Sequence, residues 1–203
     1  MFANSRGLGD LAKYLHFAGC VRDHNLDFLA ISETDRREFL QSLLNRLSGG
    51  IEFDWYSRPP HGRFGCILLG IRTDIMEVLD VTDGDFYIKM HIRNKSDNFI
   101  WSLVAVYGPA QVEHKSDFLR EMVNLVKDNP HPFIIGGDFN LLRFSFEKSR
   151  GRFDNRWPLL FNAVIDNLDL REISMVGLGG DALFVLQSAA SNSGDGARLD
   201  GAS

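Results

Sequence analysis

The sequence predicts an α/β fold in which mixed β-sheets pack face to face with helices on the outside. Three observations carry that expectation. Helical periodicities recur at intervals along the chain, not in one block. Between the second and third of them runs a series of short apolar segments separated by hairpin-type turn signals. Several of these segments also end in polar or ionisable residues, and chemistry tends to sit at the ends of buried strands. With 203 residues, 44% of them hydrophobic and 24% charged, the chain is long enough for one well-buried domain and too short for two of ordinary size.

Asp10 is placed to cap a helix over residues 10–25, where Leu11, Leu15, Ala18 and Val21 recur at three- to four-residue spacing. Residues 26–32 read as a buried strand. Residues 35–47 look helical through the stripe of Phe39, Leu40, Leu43, Leu44 and Leu47, and Gly49-Gly50 stops them. Strands are expected at 53–56, 66–71, 76–81, 86–92 and 99–106, with turn signals at Asp83-Gly84-Asp85 and Asn94-Lys95-Ser96. Residues 115–128 form a second long amphipathic pattern, 133–135 a short apolar strand and 157–168 a further helix. After Gly177 the texture changes to Gly, Ala and Ser, with one apolar piece at 183–186. The expected division is therefore a domain over 1–176 and an atypical tail over 177–203, disordered or the product of a shifted reading frame.

The formal net charge is −5 and the isoelectric point about 5.6. Such a chain does not hold nucleic acid by bulk electrostatics, although a bound divalent cation supplies positive charge locally. Arg143, Lys148, Arg150, Arg152 and Arg156 form a local basic group, suited either to flanking a phosphate or to a solvated loop. Cys20 and Cys66 lack metal-ligand spacing and read as reduced buried thiols. There is no signal pattern and no apolar run of bilayer length, so a soluble, intracellular protein without a membrane partner is expected, and nothing in the sequence points to an obligate oligomer.

The most informative segment is Gly136-Gly137-Asp138-Phe139-Asn140, directly after the apolar run Phe133-Ile134-Ile135. The glycines allow a tight turn and leave space for a bulky ligand. Asp138 and Asn140 lie two apart, on one side of an extended chain. A carboxylate beside a carboxamide takes a proton and donates hydrogen bonds to developing negative charge, a pairing that suits phosphodiester hydrolysis. The alternative is an ordinary strand ending in an Asx-type turn. Glu33 closes another apolar strand, Tyr107 a third, and Asn4 lies in Asn4-Ser5-Arg6-Gly7-Leu8.

These segments, with Gly62-Arg63-Phe64-Gly65-Cys66-Ile67-Leu68-Leu69-Gly70 and Glu147-Lys148-Ser149, resemble the endonuclease/exonuclease/phosphatase superfamily in order and spacing from Asn4 to Glu172. The likeness is greatest to the endonuclease domains of plant LINE-type retroelements, where a reverse transcriptase follows, and these are similar to abasic-site endonucleases. The resemblance implies a DNase-like four-layer α/β/β/α sandwich, here lacking its last strand or strands. It also implies Mg²⁺ or Mn²⁺ as cofactor and DNA as substrate.

By the same resemblance Glu33 and Asn4 are the metal-ligand candidates, Asp138 is the general base or water-positioning group, and Asn140 orients it and binds phosphate. Tyr107 would contact the phosphate or the nucleophile, and Asp200 matches a later aspartate that orients a histidine. The plainer readings are a helix-capping acid at Glu33, a turn residue at Asn4 and a packing aromatic at Tyr107. The family's terminal Ser-Asp-His segment is absent from the sequence, and His16, His24, His61, His91, His114 and His131 stand in other contexts. Impaired turnover is therefore expected. The rival readings are a catalytically dead fragment, a nucleic-acid-binding pseudoenzyme and a phosphomonoesterase of the same fold.

Overall fold

A computed structural model describes residues 1–59, 66–144, 155–173 and 183–188. Two mixed sheets face each other. The first contains β1 (Phe2–Asn4), β2 (Phe28–Ser32), β3 (Phe53–Arg58) and β4 (Ile67–Arg72) in the order β1-β2-β4-β3. The second contains β5 (Met76–Asp83), β6 (Tyr87–Asn94), β7 (Ile100–Tyr107), β8 (Phe133–Asp138), β9 (Leu170–Glu172) and β10 (Leu183–Ser188) in the order β5-β6-β7-β8-β10-β9. Each sheet has one parallel pair, β1 with β2 and β7 with β8, and those four strands run toward the same end of the sandwich.

Three hydrophobic clusters fill the interfaces between four layers. Tyr14, Phe17 and Val21 of α1 (Leu11–Asp23) and Leu44 and Leu47 of α2 (Gln41–Leu47) pack on Leu29, Ile31 and Leu68 of the first sheet. Ala30, Ile67, Leu69, Ile88, Met90, Leu103 and Ala105 meet between the sheets. Phe118 and Met122 of α3 (Lys115–Lys127) and Trp157, Phe161 and Ile165 of α4 (Arg156–Asn167) cover Val104, Val106, Phe133 and Ile135 on the outer face of the second sheet. Strand alternation explains the division: even-numbered residues of β2 face the other sheet and odd-numbered ones face the helices. Each fully buried Leu, Ile or Phe contributes about 1.5–3 kcal/mol relative to exposure.

Asp10 caps α1 as expected, accepting a hydrogen bond from the Ala12 N–H at 2.9 Å. The buried stripe of α1 is nevertheless Tyr14, Phe17, Ala18 and Val21, while Leu11 and Leu15 are exposed. The larger Tyr14 and Phe17 surfaces determine which way the helix turns. The second helix begins at Gln41 and not at Asp35, because Asp35 has a left-handed backbone (φ 54°) that a helix cannot continue through.

At Gly136 and Gly137 the space beside the backbone is taken by the protein and not by a ligand. A Cβ on Gly136 would sit 2.3 Å from the Phe2 ring, and one on Gly137 (φ 137°) 2.1 Å from the Val106 carbonyl oxygen. Both glycines lie within β8, so the strand continues through them to Asp138. The apolar piece at 183–186 belongs to β10, which lies antiparallel between β8 and β9. Among the described residues no helix is long and apolar enough to cross a membrane.

Candidate active site

Alternation sends Asn4, Tyr107 and Asp138 into the layer between the sheets, in phase with Phe2, Ala105 and Ile134. All three stand at the ends of their strands, so that layer surfaces there as polar groups. Glu33 follows Ser32 and is out of phase with them. Its left-handed backbone (φ 54°) swings the carboxylate inward, and Oε1 accepts a 2.7 Å hydrogen bond from the Tyr107 hydroxyl. Across the same gap the Asn4 amide Nδ2 donates to Asp138 Oδ2 at 2.8 Å. Two side-chain hydrogen bonds thus tie the strand ends of one sheet to those of the other.

The turn after β8 fixes the other oxygen of Asp138. Asn140 has φ 48°, its backbone N–H donates to Asp138 Oδ1 at 2.9 Å, and its side-chain amide donates to the Gly108 carbonyl at 2.8 Å. The Asx-type turn is therefore present and is itself part of the cluster. The strand-like placement expected for Asn140 is replaced by this left-handed turn.

The backbone of Glu33 is held on both sides: its N–H donates to the Cys66 carbonyl at 3.1 Å, while its carbonyl accepts from Gly7 N–H at 2.6 Å and Ser5 Oγ at 2.9 Å. Lys13 of α1 in turn donates to the carbonyls of Ser5, Arg6 and Gly7. Such support keeps a non-glycine residue in a conformation that costs on the order of 1–3 kcal/mol.

Asp138 is buried at 5% exposure, and Asn4, Glu33, Tyr107 and Asn140 are half-buried. Burial pushes the Tyr107 hydroxyl well above its ordinary pKa, reinforced by its hydrogen bond to Glu33 and by the charges of Glu33 and Asp138, with Asn140 opposing. Tyr107 therefore stays protonated and acts as a donor. Among the described residues no three His, Cys, Asp or Glu side chains group to enclose a metal. Glu33 and Asn4 carry oxygens of the kind taken by a hard cation such as Mg²⁺, which keeps several waters and takes one or two protein carboxylates, and Asn4 Oδ1 also accepts from the Arg6 N–H at 3.0 Å.

Residues 1–199 match the Endonuclease/Exonuclease/phosphatase family. The chain belongs to that family. Its members are typically hydrolases of phosphodiester bonds and generally use divalent metal ions. The matched region extends past the change of texture at Gly177.

Among solved structures the fold is similar to an AP endonuclease, LMAP, from Leishmania major, with TM-score 0.70, 13% identity, and 93% of this chain and 78% of that one covered. It is also similar to the human Nocturnin catalytic domain (TM-score 0.60, 13% identity, 92% and 79% covered). A mannosyl-6-phosphatase, Bt3783, from Bacteroides thetaiotaomicron gives TM-score 0.62 and 13% identity, with 93% and 84% covered. At this identity the likenesses bear on the fold alone. No curated protein matches the sequence.

The structure thus brings together Asn4, Glu33, Tyr107, Asp138 and Asn140. Asp200 lies outside the described residues, as do Lys148, Arg150 and Arg152. Arg143 is directed at the fold's own elements, pairing with Glu172 of β9 and donating to Asn162 of α4 at 2.8 Å. His131 precedes β8 at the end opposite Asp138, about 20 Å away along an extended chain. Sequence reasoning missed Ser5, Lys13 and Lys115. Lys115 donates to the Asn140 carbonyl at 3.0 Å and steadies the turn. Its only sequence signal is its place at the start of α3.

Proposed function

We propose that this chain is a divalent-metal-dependent phosphodiesterase acting on DNA, an endonuclease of the kind found in plant LINE-type retroelements. The observation that carries the proposal is the pair of cross-sheet hydrogen bonds, Tyr107 to Glu33 and Asn4 to Asp138, which gather a phenol, two carboxylates and an amide at one strand end. Asp138 accepts a proton from the attacking water as its oxygen bonds to phosphorus and the bond to the leaving sugar oxygen breaks. Asn4 and the Asn140 backbone each donate to a different Asp138 oxygen, which sets the carboxylate plane. Tyr107, kept protonated, donates toward the phosphoryl oxygens, and Asn140 orients the base. Glu33 and Asn4 would hold the cation, which would supply positive charge to stabilise the phosphate and the leaving oxygen.

Contacts to the non-reacting part of the substrate separate this reading from a phosphomonoesterase of the same fold. Conversion is best followed with enzyme in excess over a labelled duplex containing an abasic site. Mg²⁺-dependent strand cleavage should fall by about 10²–10³ in Asp138→Ala. Equal rates in the two proteins contradict the assignment.

A further inference from the structure

Arg58, the last residue of β3, lies in the same transverse row as the candidate site. Across the first sheet Arg58 pairs with Ile67, Ile67 with Ser32 and Ser32 with Asn4. Tyr56 packs between the sheets, so Arg58, two residues on, points into the same layer at the end where Glu33, Tyr107 and Asp138 emerge. It is two strand spacings from Ser32, about 10 Å.

There Arg58 lines a cleft of about 500 Å³ with Pro59, Asp83, Gly84, Asp85 and Glu121. It is only 6% exposed, and its Nη1 has no hydrogen-bond partner. Among the described residues the guanidinium enters no ion pair. A buried guanidinium nitrogen without a partner is costly, and native folds keep one chiefly where something binds to it.

The neighbouring carboxylates do not satisfy it. Glu121 accepts from the backbone N–H groups of Asp85 at 2.7 Å and Phe86 at 3.2 Å; burial raises its pKa and the Arg58 charge opposes that rise, so the two groups interact without a hydrogen bond between them, while Asp83 and Asp85 are exposed.

We propose that Arg58 is a substrate-positioning residue that grips a non-scissile phosphate of the polynucleotide, in the same cleft as the reacting one. The inference rests on the nucleic-acid reading above. A guanidinium suits this task because it stays charged when buried and presents several donors to phosphate oxygens. Asp83 and Asp85 beyond it repel a strand that runs further toward the β5–β6 hairpin. Arg58 thereby marks the limit of the bound segment.

The test uses fluorescence anisotropy of a labelled single-stranded oligonucleotide with Mg²⁺ present, all proteins carrying Asp138→Asn so that the probe stays intact. Arg58→Met should bind about tenfold more weakly, the loss of one charge-assisted contact. Its salt dependence should be shallower by about 0.7 in log–log slope, the share of one phosphate on a single strand. Its melting temperature should change little, since the guanidinium enters no ion pair among the described residues and interacts with Glu121 only at longer range. A folded Arg58→Met variant with the parent's affinity and slope overturns this inference alone.

If that variant fails to fold, Asp83→Asn with Asp85→Asn decides: tighter binding is expected, and unchanged binding overturns the proposal. A parent protein that does not bind the oligonucleotide at all overturns the nucleic-acid reading and this inference with it.

Discussion

At the end of the sandwich where β1, β2, β7 and β8 finish, the layer between the sheets surfaces as Asn4, Glu33, Tyr107 and Asp138. At the opposite end it surfaces as Phe28, Ile75, Met76, Trp101 and Ile134, around a cavity of about 730 Å³ rimmed by Asp27, Asn94 and Ser96. The backbones differ in the same sense. Left-handed residues near the first end include Arg6, Glu33 and Asp35, whereas the turns at the second use Asn25 and Asn98. Asparagine visits that conformation readily and glutamate does not. One end is thus relaxed and apolar, and the other is strained, polar and cross-linked. Strain held by so many hydrogen bonds gives the polar end the fixed geometry that the proposed chemistry would need.

Substitutions at the two ends should therefore separate stability from ligand response. The largest effect on stability is expected at the apolar end. Phe133→Ala, which empties a 7% exposed site in the outer core, should cost about 3 kcal/mol in denaturant unfolding while leaving any Mg²⁺ response intact. A smaller effect measures strain at the polar end. Glu33→Gly should exceed Glu33→Ala in stability by about 1 kcal/mol, because glycine tolerates φ 54°. At Asn98, where the native residue already suits that conformation, glycine should change stability by less than about 0.5 kcal/mol. Equal Gly–Ala differences at exposed helical sites and at Glu33 would show that no strain is stored there.

The smallest effect is on pH dependence. The Tyr107 pKa is raised in the folded state, so its contribution to stability is present below the unfolded value of about 10 and is lost as pH rises above it. Tyr107→Phe should flatten the fall of melting temperature above that pH, measured against the wild type. Tyr56 and Tyr87, also raised by burial, contribute to the remaining slope.

Much of this contrast was legible in the chain itself. Asp138 could be placed because Phe133-Ile134-Ile135 announces a buried strand, and Tyr107 because 103–106 does the same. Asn4 was harder: β1 has three residues, too few to display alternation, and only its parallel pairing with β2 makes it a strand. The inward turn of Glu33 was hidden because it depends on one backbone angle, which pattern cannot show. The periodicity of residues 35–40 misled for the same reason, since Asp35 is left-handed. Arg58 carries no signal in the sequence beyond its place before Pro59, and its burial follows from the sheet packed opposite it.

The central claim is that the polar end forms one metal-responsive site, and thermal unfolding with and without Mg²⁺ tests it most directly. At a concentration about 100-fold above its dissociation constant, Mg²⁺ should stabilise the wild type by about 2.7 kcal/mol. Glu33→Gln keeps an acceptor for Tyr107 but removes the charge, and should lose most of that gain. The same Mg²⁺-dependent stabilisation in Glu33→Gln as in the wild type would contradict the account.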